Sequence, residues 1–310
     1  MTEIKKRFRV KARDLVLLLF LLCMVCQTQI HQGIKEALLL CYTTVIPSLF
    51  PFMILSIAWR NAYEETRHGR FSFVVAKILR TKKEGVFPFV LGAVCGFPIG
   101  AKEVCALYQK NCLVKQEAEH LLGIANLASP AFVIFGIGAG LRGNVKEGIA
   151  LYLIQLLSAI LVAWVTAPKL PKISKESTKN AVKTTSVPFP KMIADATYTM
   201  LSLCGLICTF SAISSLARAF LPTKIALYIT AFLEIVGGTK DIFLYFSNSP
   251  LMSFALTACA ISFGGISVHM QSHLFISETD LSFGKYMWQK ILGGVFSLLM
   301  AFGYARILGV

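Results

Sequence analysis

Two stretches of this sequence set glycine beside ions inside otherwise apolar runs. One is Gly96-Phe97-Pro98-Ile99-Gly100-Ala101-Lys102-Glu103, the other Glu234-Ile235-Val236-Gly237-Gly238-Thr239-Lys240-Asp241. Within a helix Gly is about 1 kcal/mol and Pro about 3 kcal/mol worse than Ala, so each stretch is expected to break one. An ion near mid-bilayer costs about 2.5–3.5 kcal/mol even on lenient insertion scales. Lys102, Glu103, Glu234, Lys240 and Asp241 should therefore face a cavity or each other. Each lysine also falls in the first turn after its break, where free backbone N–H groups attract anions, although the adjacent acid offsets part of that field. Two readings stand. Gly96, Gly100 and Gly238 form the tips of a ligand site whose ions set its charge, or the breaks are kinks against neighbours and the ions only lock the halves together.

Asn126, Ser129, Ser262, Ser267 and Gln271 are polar residues in apolar surroundings. They either orient a ligand or hydrogen-bond between helices, at roughly 0.6–2 kcal/mol each. His269 and His273 lie four apart, but no Glu stands between them and no third ligand is evident, so neither a metal nor another cofactor is expected. Cys23-x-x-Cys26 has a redox spacing, yet it sits in an apolar run and reads as small packing residues. The nine cysteines show no framework of pairs in polar loops. No phosphate loop, dinucleotide fingerprint, Gly-x-Ser-x-Gly elbow or nucleophile–base pair is present, so no catalytic residue is assigned and the chain reads as a non-enzyme.

The elements that must carry these residues are helices in a bilayer. The 310 residues are 55% hydrophobic and 15% charged, with a mean hydropathy of +0.66. Soluble domains carry about 25% charged residues. The net charge of +15 would suggest nucleic acid in a soluble protein. Here the basic residues cluster in short gaps between apolar runs, the pattern of the positive-inside rule, and no nucleic-acid partner is expected. The basic residues 1–14 precede an apolar run at 15–26 with no small-x-small cleavage site, which reads as a signal anchor with a cytoplasmic N-terminus. Further apolar segments follow near 34–59, 86–109, 119–140 and 147–167. A Lys-rich linker spans 168–191, and segments near 192–217, 225–247, 250–270 and 286–308 complete the chain.

Four segments, a linker and four segments suggest a repeat, in which Gly100, Lys102 and Glu103 correspond to Gly238, Lys240 and Asp241. If 86–109 and its counterpart dip in and return, each arm is about 15 Å of helix, half of a ~30 Å core. Most of the 31 Lys and Arg then fall on one face, with Lys285 and Lys290 among them, and the second half enters from the opposite side. The expected fold is an all-α integral membrane protein with two inverted repeats of broken and spanning helices.

Several motifs also resemble a known family. Val45-Ile46-Pro47-Ser48-Leu49-Phe50-Pro51-Phe52, Gly96–Lys102, Asn126-Leu127-Ala128-Ser129-Pro130-Ala131-Phe132 and Ser262-Phe263-Gly264-Gly265-Ile266-Ser267-Val268-His269-Met270-Gln271 are similar to motifs of the YlbJ-type sporulation integral membrane proteins. That family is grouped with nucleoside-recognition or gate domains, also met in nucleoside and ferrous-iron transporters. The resemblance implies two gate-like repeats, at 34–167 and 192–310, after an N-terminal region at 1–33. It also implies a role in endospore formation, in the cytoplasmic or a sporulation membrane. The expected function is a transporter or permeation protein for a small anionic or nucleoside-like solute. The alternative is a non-transporting scaffold that assembles with its own copies or with other sporulation membrane proteins.

Overall fold

The computed structural model describes Leu17 and residues 24–62, 70–168 and 187–308. The expected anchor at 15–26 and the linker at 168–191 lie largely outside those residues. Every regular element among the described residues is helical, in agreement with the all-α expectation.

The first long helix comprises α1 (Gln27–Leu40), a π-helical turn at Cys41–Val45, and α2 (Ile46–Ala62). Short α3 (Arg70–Leu79) buries Ala76 and Leu79 while Phe71, Phe73 and Val74 stay exposed. The expected dip at 86–109 is α4 (Val86–Cys95) and α5 (Ile99–Gln109). The next segment is split into α6 (Lys115–Ala125) and the π-helical α7 (Ala131–Leu141), and α8 (Val145–Thr166) closes the first half. The second half holds α9 (Phe189–Phe220), the pair α10 (Thr223–Leu233) and α11 (Ile235–Tyr245), the pair α12 (Pro250–Phe263) and α13 (Gly265–Ile276), and α14 (Phe283–Leu308).

The chain reverses at both glycine-and-ion stretches. A Cβ on Gly92 would lie 3.1 Å from the Gly100 Cα, whereas residues eight apart in one helix are about 12 Å apart. Gly96 (φ 88°) and Pro98 make that turn. A Cβ on Gly238 would likewise run into Ala231, seven residues back across the break at Glu234. Both pairs are half-length helices folded back on themselves.

Among the described residues, three helices are long and apolar enough to cross a membrane: Val145–Thr166, Phe189–Phe220 and the broken Pro250–Ile276. Leu153, Leu157, Trp164 and Val165 on α8, and Tyr198 and Leu201 on α9, are exposed. Such an apolar surface is a liability in water and the normal exterior of a protein in lipid. The broken Pro250–Ile276 is the most enclosed of the three, 67% buried against 28% for Phe189–Phe220. It packs beside α14, while α7 lies along α8 and α1 along α9. The broken helix therefore stands inside the bundle, where irregular backbone is tolerated because protein groups satisfy it.

Candidate functional site

Asn126, Ser129 and several polar residues of neighbouring helices meet at the break between α6 and α7. Where a helix stops, its last carbonyls and the next helix's first N–H groups need partners. Side chains supply them here. Gln155 on α8 accepts from the Ala128 N–H at 2.9 Å and donates to the Ala128 carbonyl at 3.0 Å. Ser129 Oγ accepts from the Phe132 N–H at 3.2 Å, capping α7. The Asn126 carbonyl accepts from Lys290 Nζ at 2.8 Å.

The Asn126 side chain, fully buried, extends this network to the second half. Its Nδ2 donates to Ser272 Oγ at 2.9 Å and to the Tyr286 hydroxyl at 2.8 Å. The same hydroxyl is 2.9 Å from His269 Nδ1. Asn126 Oδ1 and His269 Nε2 are buried with no hydrogen-bond partner. Unfilled polar atoms in an interior are costly, by about 1–3 kcal/mol each. Both atoms are candidate contacts for a polar ligand or an ordered water.

Each folded-back pair is covered by the break that follows it. A Cβ on Gly92 or Gly100 would collide with the Ala125 carbonyl, so both positions need glycine for that oxygen to approach. In the second half Gly265 sits against the Leu233 carbonyl and the Ile235 N–H, and a Cβ there would come within 3.4 Å of both. Ser129 packs on Gly96 at the first tip.

The ions are distributed differently from the symmetric expectation. Lys102 Nζ lies 3.4 Å from Thr199 Oγ1 and 5.5 Å from the Phe275 ring centroid, and Glu103 is fully buried on the same helix. Lys240 is exposed. Asp241 instead receives Arg218 Nε at 2.9 Å and the Thr230 hydroxyl at 2.7 Å. Glu234 accepts from the N–H groups of Val236 at 2.9 Å and Gly237 at 2.6 Å. The free N–H groups expected to attract an anion at the second tip are therefore taken by the protein's own carboxylate. Ser262 is hydrogen-bonded to Ser297 at 2.5 Å, and Gln271 Nε2 is 3.5 Å from Ser267 Oγ.

Sequence reasoning missed Lys290, Tyr286, Ser272 and Gln155. By its position in the sequence Lys290 falls with Lys285 among the basic residues expected to be cytoplasmic. It is only 3% exposed, seated on α14 with no ion-pair partner among the described residues. Its signal was available, since Gln289-Lys290 is followed by an apolar run and an ion there is a site candidate by default. His269 and His273 do not meet a third ligand, and no cluster of three His, Cys, Asp or Glu residues that could hold a metal is found among the described residues.

Spanning apolar helices, half-length helices folded back in pairs, and a buried polar centre define the chain as an all-helical integral membrane protein. No family model and no solved structure matches it. The chain is similar to the sporulation integral membrane protein YlbJ of Bacillus subtilis (strain 168), at 25% identity over an alignment that covers 85% of this chain and 74% of that protein. This likeness supports the YlbJ-type family that the sequence motifs resemble.

Proposed function

We propose that the chain is a transporter or permeation protein of sporulation membranes, moving a small anionic or nucleoside-like solute through a site between its two folded-back helix pairs. The observation that carries this reading is the centre at Asn126. A lysine without an acidic partner among the described residues, an orphan amide oxygen and an orphan imidazole nitrogen gather there, where two broken helices meet. Broken helices of this kind serve substrate sites in secondary transporters. The similarity to a sporulation integral membrane protein of Bacillus subtilis supports the sporulation role.

The two halves are read as inverted repeats. Support comes from the matched positions of Gly100 and Gly238 and from the way each following break covers its pair. In this reading the N-terminus, residues 60–85 and the linker at 168–191 are cytoplasmic.

The test is a ligand-stabilisation screen on detergent-purified protein, using carboxylates, phosphates and nucleosides. A ligand at 100 times its Kd stabilises by about 2.7 kcal/mol. A hit should raise the melting temperature of the wild type and leave Lys290→Met unmoved. If no solute stabilises and Lys290→Met still supports heat-resistant spores in a complemented deletion strain, the chain is a scaffold.

A further inference from the structure

An open cleft and a small enclosed cavity share one wall. An open cleft of about 770 Å³ lies between the first turns of α6 and α14 and the last turn of α8. Trp288, Lys285, Glu119, His120 and Thr166 surround it, and Gln289 forms its floor. The volume is that of an ordinary small-molecule site. Behind Gln289 is a second cavity of about 10 Å³, bounded by Ser158, Gln155, Ser262 and Lys290. That is room for roughly one water, so no organic solute fits while the wall stands.

The wall is held by an unusual insertion. Gln289 Oε1 accepts from the Gly123 N–H at 2.8 Å, and its Nε2 donates to the carbonyls of His120 at 2.9 Å and Glu119 at 3.2 Å. The side-chain amide therefore enters the hydrogen-bond ladder of α6 in the manner of a bridging water. An inserted group of this kind can leave without unpaired backbone, because the Gly123 N–H and Glu119 carbonyl are natural i→i−4 partners.

Charge changes across the wall. At the mouth Lys285 is matched by Glu119 at 2.6 Å. Inside, Lys290 has three N–H donors and one acceptor, the Asn126 carbonyl. A cation enclosed without a counter-charge is costly in low dielectric. An anion brought beside it removes that cost and a second cation adds to it.

We propose that the cleft is the vestibule of a path for small anions, that the Gln289 amide closes it, and that Lys290 takes the anionic group when Gln289 withdraws. The proposal deepens the transporter reading and rests on it only for the purpose of the path. Its test uses labelling, so the two can fail separately.

Ser158→Cys places a thiol behind the wall, and peptide mass spectrometry separates it from the native cysteines. Full-length protein in detergent is treated with sulfonatoethyl (anionic) or trimethylammonioethyl (cationic) methanethiosulfonate. Labelling at position 158 should accelerate severalfold in Gln289→Ala and in the milder Gln289→Asn, each checked for folding by melting. The anionic reagent should lead by about tenfold, a modest preference for one nearby charge at an effective dielectric of ~20, and the preference should vanish in Lys290→Met. Equal rates with and without the Gln289 side chain, or a preference for the cationic reagent, would overturn the proposal. The expected labelling in a protein that no solute stabilises would retain the path and remove the transporter.

Discussion

Gly123→Ala is the sharpest test of the packing around the site, because local and tertiary effects have opposite signs. Position 123 is inside α6, where replacing Gly by Ala should stabilise a helix by about 0.8–1.0 kcal/mol. The tertiary environment opposes this. A Cβ there would collide with Oε1 and Cβ of Gln289 and lie 3.1 Å from its Cδ. The Gln289 Cβ is fixed to the α14 backbone and cannot swing away. Overpacking of this kind costs about 1–3 kcal/mol. Displacing the amide also loses its bonds to Gly123, His120 and Glu119, each about 0.5–1.5 kcal/mol. The net expectation is a destabilisation of roughly 1.5–6.5 kcal/mol, after the propensity gain is subtracted. Thermal melting in detergent of Gly123→Ala, Gln289→Ala and the double variant forms a cycle. The double variant should be more stable than Gly123→Ala alone, since the new methyl then occupies the space Gln289 left. A Gly123→Ala protein that melts at or above wild type, or a double variant that simply sums the singles, refutes the insertion of Gln289 into α6.

Three further outcomes are expected. Arg218→Met should destabilise by about 1.5–3 kcal/mol, the worth of a hydrogen bond to a charged group, because Asp241 loses its cationic partner and keeps only the Thr230 hydroxyl among the described residues. Adding Asp241→Asn should recover part of that in the same melting assay. At the loop, Lys115 first and Tyr108 second hold the Asp280 carboxyl below its usual range. Its stabilising effect is therefore full above the ordinary carboxylate pKa and is lost as pH falls through the lower folded value. The melting difference between wild type and Lys115→Met should shrink over that acid window, and a constant difference would remove Asp280 as the cause. Accessibility tags in residues 60–85 and in the linker at 168–191 should report the same face of the membrane; opposite faces would end the inverted arrangement.

The sequence by itself determined the solvent, the helices and the two breaks at Gly96–Gly100 and Gly237–Gly238, whereas the interruptions at Asn126–Pro130 and Gly264 fall inside segments that read as continuous. Low charge and long apolar runs leave no water-facing side, and Gly96, Pro98 and Gly238 are local causes that act wherever the chain goes. Asn126 and Ser129 were legible for the same reason, since a polar group in an apolar run must find a partner. What the sequence could not assign is which partner. Lys102 and Lys240 share a local pattern, yet one points to Thr199 and Phe275 and the other is exposed, because neighbouring helices set burial and motif spacing does not. Lys290 and Lys285 are five residues apart, but α14 turns one into the interior and the other toward Glu119 at the cleft. Gln289 became a wall only because Gly123, 166 residues away in the chain, leaves the space it enters. Long-range packing made those choices, and such contacts carry no local signature in a single sequence.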